Sequence, residues 1–220
     1  MTSAPKPVSA FDALMSRLAA RQATIGVVGL GYVGLPLARA LTAAGNRVIG
    51  YDIDPGKAGK LNAGESYLGH VSARTIEEMR RNGFEATADI SRLGGADAIL
   101  ICVPTPLSRN REPDLSYVVS TAESLLPHLR EGQLVVLEST SYPGTTAEIL
   151  KPILEQSGLV SEETLLIAYS PEREDPGNSD FATARIPKVV GGDGPRPRRR
   201  CMGNSSSAWC RFATPGPPRR

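Results

Sequence analysis

The chain has 220 residues and a formal net charge of +2, from 25 Lys and Arg against 23 Asp and Glu. It is 40% hydrophobic and 22% charged, which is ordinary for a globular protein with a real core. No apolar run approaches the roughly 20 residues that span a bilayer, and the N-terminus shows no apolar signal core with a cleavage site. The composition therefore predicts a cytoplasmic protein without a membrane partner. Charge is unevenly placed. Residues 194–220 hold seven Arg and no acid, leaving 18 basic and 23 acidic side chains elsewhere, a net of −5. A body of that sign is no nucleic-acid-binding domain, and the expectation is no nucleic-acid partner. The three cysteines, Cys102, Cys201 and Cys210, form neither a disulfide framework nor a zinc set, so no metal is expected.

Residues 1–9 read as disordered. Phe11, Leu14, Met15, Leu18 and Ala19 recur at i, i+3, i+4, i+7 and i+8, which predicts an amphipathic helix over 10–21 whose stripe is a packing face. A short apolar run, Ile25 to Val28, then leads into Gly29, Gly31 and Gly34 at the spacing G-x-G-x-x-G. An apolar-periodic segment follows to Gly45, and a second apolar run closes on Asp52. The order is strand, glycine turn, helix, strand, acid. In such a unit Gly29 permits the tight turn, Gly31 lets backbone approach a pyrophosphate, and Gly34 lets helix pack on strand. Amides at the helix start favour a phosphate anion. Asp52 lies 18 residues after Gly34, near the spacing expected for a carboxylate on a ribose 2′-hydroxyl. It favours NAD because it would repel a 2′-phosphate. Lys57 is either a solvated loop lysine or a second contact to the ribose or pyrophosphate.

Asp54-Pro55-Gly56 reads as a turn opening a loop over 54–72, with a short helix near Lys57 to Asn62. A helix is expected from Thr75 to Arg81 and a short strand from Phe84 to Ala88. Ala98 to Val103 is a buried strand containing Cys102, Ser116 to Leu129 a helix, and Leu134 to Glu138 a buried strand. Thr145 to Gln156 is a helix and Leu165 to Ser170 a further strand. Short apolar strands alternating with helices predict a Rossmann-type, doubly wound α/β fold around a parallel sheet covered on both faces. Ligands bind such sheets outside the carboxyl ends of the strands. Three polar, Pro-containing segments fall there: 103–106, 138–145 and 170–178. His70 and His128 lie outside all three and read as structural or surface residues.

The blocks IGVVGLGYVGLPLA, ICVPTPL, REPDLSYV, LESTSYPGTT, YSPEREDPGN and IPKVVGGD occur in that order. From about Ala23 to Asp193 the chain resembles the UDP-glucose/GDP-mannose dehydrogenase family, and within it the bacterial UDP-N-acetylglucosamine 6-dehydrogenase branch of surface-polysaccharide synthesis. SPEREDPGN carries the leaning to that branch. The resemblance implies an NAD-dependent four-electron oxidation of a UDP-sugar C6 alcohol to a carboxylate, through a cysteine thioester that water hydrolyses, in proteins that are homo-oligomers at full length. Carried over by motif, Gly29, Gly31, Tyr32, Val33 and Gly34 would bind pyrophosphate and Asp52 the ribose. Thr105 and Thr140 would line the nicotinamide side, with Thr140 also positioning water, and Glu172 would be the acid/base group. A carboxylate at a strand end beside a bound nicotinamide suits that role, since desolvation raises its pKa. Without the family pattern, Glu172 reads as an ion-pair partner of Arg173 or another base. Arg173 itself suits substrate phosphate or sugar oxygens.

The likeness stops after Asp193, before the segments that carry the family's lysine, asparagine and nucleophilic cysteine and its UDP-binding domain. Residues 194–220 hold seven Arg and five Pro without apolar periodicity, as in a disordered basic arm or out-of-frame translation. The expected organisation is an N-terminal extension over 1–22, an NAD-binding domain over 23–193 and a basic tail over 194–220. Cys201 and Cys210 lack the glycine-rich setting of the family nucleophile, so the expected activity is NAD binding without turnover. The alternatives are a UDP-glucose or UDP-N-acetylmannosamine 6-dehydrogenase fragment and a stand-alone NAD-binding module.

Overall fold

The computed structural model describes residues 10–107, 113–171 and 191–192. The strands are β1 (Thr24–Val28), β2 (Arg47–Tyr51), β3 (Phe84–Thr87), β4 (Ala98–Ile101), β5 (Gln133–Leu137), β6 (Leu165–Tyr169) and β7 (Gly191–Gly192). They form one sheet in the order β3-β2-β1-β4-β5-β6-β7. The first six pair in parallel. The helices are α1 (Ala10–Ala19), α2 (Gly34–Ala43), α3 (Pro55–Asn62), α4 (Ala73–Arg81), α5 (Ser116–Leu125) and α6 (Lys151–Leu154). The Rossmann-type expectation is met.

Each central strand is apolar along its whole length because both faces are covered. The pleat sends alternate residues to different cores. Ile25 and Val27 of β1, with Ala98 and Leu100 of β4, join Leu14, Leu18, Leu35, Leu41, Leu61 and Ile76 on the face carrying α1 to α4. Val28, Ile99 and Ile101 join Val118, Leu125, Leu150 and Leu154 on the face carrying α5 and α6. The chain crosses between faces after β3, through a 3₁₀ turn over Ile90–Gly95. Consequently β1 and β4, adjacent in space, send their following helices to opposite sides. This is the topological switch point where such folds take ligands.

Several local expectations need correction. Asp54-Pro55-Gly56 is a helix start: the Asp54 carboxylate accepts from Gly56 N–H at 2.8 Å and Pro55 occupies the first turn. The short helix expected near Lys57 to Asn62 is met as α3, which starts two residues earlier, at Pro55. The helix expected to reach Leu129 stops at Leu125 and tightens to a 3₁₀ turn over Leu126–His128, because Pro127 supplies no N–H to continue it. Thr145–Leu150 is a π turn in which Lys151 N–H reaches back to Thr146 O, just ahead of Pro152. Strand β4 ends at Ile101, so Cys102 lies past it, still buried. The sheet is also not wholly parallel, since β7 pairs antiparallel with β6 through Ala168–Gly192 and Tyr169–Gly191. Two glycines carry no periodic signal. Residues 1–9 and 194–220, with Cys201 and Cys210, lie outside the described residues. Among the described residues no helix is long and apolar enough to cross a membrane.

Candidate dinucleotide site

At the carboxyl end of β1 the chain turns through Gly29, whose φ of +86° belongs to the left-handed region. A Cβ there would stand 2.8 Å from Cys102 O, and one on Gly34 only 1.8 Å from Gly29 O. Glycine is required at both positions by backbone packing. Gly31 differs: a Cβ there would meet no protein atom within 4 Å. Its requirement, if any, comes from something outside the protein that approaches the turn. Helix α2 follows with Val33 at its N-cap and no side-chain cap on its first amides. An open glycine turn over an uncapped helix start suits an anion. Tyr32 projects from the turn, 64% exposed, while Val33 packs partly against the core.

The acid expected at the end of β2 is there, buried, and already engaged. Asp52 Oδ2 accepts from Leu30 N–H at 3.0 Å and Oδ1 from Asp54 N–H at 3.1 Å. Lys57 Nζ lies 3.2 and 3.3 Å from the two oxygens. Of the two alternatives for Lys57, the solvated loop lysine gives way to an ion pair with Asp52 inside the site. Beside it, Tyr67 donates its hydroxyl to Leu30 O at 2.5 Å, and Lys57 Nζ stands 5.8 Å from the Tyr67 ring centre. Burial first, then Asp52 and Asp54, pushes the Tyr67 phenol well above the usual tyrosine value, so it remains a neutral donor.

At the switch point's other side, Thr105 Oγ1 donates to Thr140 O at 2.7 Å. The hydroxyl of Ser139 donates to Val103 O at 2.6 Å. The segments after β4 and β5 are thereby tied together, with the Thr140 side chain on the exposed side. Ser170, fully buried, follows β6, which was expected to include it, and donates its N–H to Leu137 O at 2.9 Å. Glu172 and Arg173 lie outside the described residues. Gly29, Gly31, Tyr32, Val33, Gly34, Asp52, Lys57, Thr105 and Thr140 all fall at the carboxyl ends of β1, β2, β4 and β5.

Sequence reasoning passed over three residues here. Tyr67 and Ser139 gave no signal, since one lies in a loop and the other in an apolar–polar transition. His70, set aside as a structural or surface residue, is exposed but stacks on Tyr32, with ring centres 5.6 Å apart and planes 21° from parallel.

The residues fit NAD: an open turn, bare helix amides and a carboxylate at the edge of β2. A sequence model of the UDP-glucose/GDP-mannose dehydrogenase family, NAD binding domain, matches residues 23–202. The UDP-N-acetyl-D-glucosamine 6-dehydrogenase of Pseudomonas aeruginosa is 38% identical over 172 residues, covering 78% of this chain and 40% of that protein. The UDP-N-acetyl-D-mannosamine dehydrogenase of Escherichia coli K12 is 38% identical over 177 residues, covering 77% and 42%. The solved UDP-D-ManNAc dehydrogenase of Pyrococcus horikoshii superposes with a TM-score of 0.70 at 35% identity, over 77% of this chain and 41% of that one. The chain thus spans about two fifths of the length of these relatives. With its turn, its acid and its strand order in place, the chain belongs to the UDP-glucose/GDP-mannose dehydrogenase family, of which it carries the NAD-binding domain.

Proposed function

We propose that this chain is the NAD-binding part of a cytoplasmic nucleotide-sugar 6-dehydrogenase acting on UDP-N-acetylglucosamine and yielding the uronic acid. The observation that carries this reading is the open Gly31 turn between an uncapped α2 and Asp52, with Thr105 and Thr140 tied together across the switch point. NAD, when bound, accepts the hydride released from the sugar. In the chain, Gly29, Gly31, Tyr32, Val33 and Gly34 surround the pyrophosphate, and Asp52 with Lys57 faces the adenosine ribose. Thr105 and Thr140 flank the nicotinamide. Glu172 serves as acid/base and Arg173 grips the UDP-sugar. The NAD-binding domain is taken to run over 23–193, between an N-terminal extension over 1–22 and a basic segment over 194–220. Full-length relatives are taken to be homo-oligomers. UDP-N-acetylmannosamine stands as the second substrate reading, because relatives of both names share the same identity with this chain.

These 220 residues match only two fifths of such relatives, so we infer that they bind NAD without completing the oxidation. The test has two arms. Calorimetric titration should show NAD binding tighter than NADP; equal or tighter NADP binding overturns the cofactor reading. Incubation with NAD and each UDP-sugar should produce no sustained NADH. Two NADH per sugar from this chain alone overturns the inference of inactivity, and the sugar that supports it identifies the substrate.

A further inference from the structure

Leu30, between the first two glycines, is held from three sides. Its side chain is fully buried and seated over Gly50, where a Cβ would come within 2.7 Å of Leu30 Cδ2. Its N–H is taken by Asp52. Its carbonyl is taken by Tyr67, from 37 residues further along the chain. Tyr67 belongs to the segment between α3 and α4, which Leu68 and Val71 anchor by burying in the core. Lys57 closes the ring, paired with Asp52 and standing over Tyr67.

The hydrogen bond to Leu30 O bears on its neighbour. Every described peptide is trans, and a planar trans peptide points its C=O and N–H in opposite directions. Fixing Leu30 O on Tyr67 therefore fixes Gly31 N–H on the far side of the same peptide plane. Donation to the carbonyl also polarises that amide and strengthens its N–H as a donor. Gly31 is the one glycine of the three with open space around its Cα.

We propose that Tyr67 is a positioning residue for the cofactor: its hydroxyl orients the Leu30–Gly31 peptide so that the Gly31 amide is preset to donate to the dinucleotide pyrophosphate. This rests on the NAD reading and adds to it a residue outside the glycine motif. Asp52 does the same for the preceding peptide, so the turn is shaped before ligand arrives and less ordering accompanies binding.

The experiment compares the full chain with Tyr67→Phe, which removes only the hydroxyl, by calorimetric titration with NAD, ADP and adenosine. Tyr67→Phe is expected to weaken NAD and ADP by about five- to tenfold, the scale of one net hydrogen bond. Adenosine, which has no pyrophosphate, should change by less than about twofold, well inside that scale. A merely structural role would lower the urea midpoint and leave the ADP-to-adenosine affinity ratio unchanged. That ratio is read on the folded fraction, so partial destabilisation does not obscure it. Unchanged NAD and ADP affinity, or an equal loss for all three ligands, overturns the proposal. If the unaltered chain binds neither NAD nor ADP, the NAD reading itself fails.

Discussion

The sheet carries one buried aspartate at each end, and the two are built differently. Asp97, at the amino end, is 3% exposed. It accepts from Thr24 N–H at 2.8 Å, from Arg17 at 3.0 Å and from Arg130 at 2.9 Å. Arg130 also donates to the carbonyls of Gly94 and Ala96, and the buried Gln133 adds a bond to Ala96 O. That end is closed, and it ties α1 to the starts of β1, β4 and β5. Asp52, at the carboxyl end, is 5% exposed but faces the open turn at Gly31, with a single lysine as its cation partner among the described residues. The next residue, Ile53, is 84% exposed. Equal burial thus serves opposite ends. One carboxylate is enclosed by two guanidinium groups and a backbone donor, whereas the other stands beside an open turn with one ammonium at 3.2 Å.

The largest effect should come from Gly34→Ala. A Cβ 1.8 Å from Gly29 O forces backbone apart, and the loss should reach about 4 kcal/mol or prevent folding. A folded variant with undiminished NAD affinity would show that the turn is not packed as described. Next comes the closed end. Asp97→Ala leaves the Thr24 amide and two half-exposed guanidinium groups without this acceptor, and urea denaturation should register a loss of about 1–3 kcal/mol, with NAD affinity of the folded protein unchanged. A loss confined to NAD binding would erase the contrast between the two ends.

Asp52→Ala should weaken NAD by about 1–3 kcal/mol and shrink the preference over NADP, since it removes a negative charge and leaves Lys57 in place. Gly31→Ala belongs with it. Its unfolding curve should match the parent, because the methyl meets no protein atom, yet NAD affinity should fall by about tenfold or more through the lost close approach. Parallel losses of stability and affinity in Gly31→Ala would move that glycine into the same class as Gly34.

The smallest effect is electrostatic and comes from two aspartates outside the buried pair. The Ser91 side chain, then its N–H, holds the Asp89 carboxyl below the usual carboxylate value, and the Ser116 N–H and hydroxyl do the same for Asp114. A depressed carboxylate pKa adds stability that is present above the unfolded value and is lost as pH falls through the folded one. The urea midpoint should therefore decline as pH drops below about 4, and Asp89→Asn should flatten part of that decline. An unaltered decline would remove Asp89 from the account.

Neighbouring residues along the chain were sufficient to locate β1, the glycine turn, α2, β2 and Asp52. Within that stretch each element follows from a period of two or 3.6 residues and from the steric demands of glycine. Motif spacing likewise placed Thr105 and Thr140 at strand ends, and the structure joins them by a hydrogen bond across 35 residues. Capping was misread at Asp54 because Asp-Pro-Gly opens turns and helices alike, and only the packing of Ala58 and Leu61 into the core decides between them. Glu172 and Arg173 rest on the motif alone.

What the sequence by itself determined is the local alphabet of the site: which residues turn, which strands are buried on both faces, and which carboxylate ends β2. Tertiary structure alone decided the partners. Asn62 holds both backbone groups of Ala86 across 24 residues and so occupies the outer edge of β3. Tyr67 meets Leu30 across 37 residues, and Asp97 meets Thr24 across 73. A residue's polarity and periodicity report only whether it faces core or solvent. Which group it meets there is set by how the helices settle onto the sheet, and no short-range pattern encodes that distance.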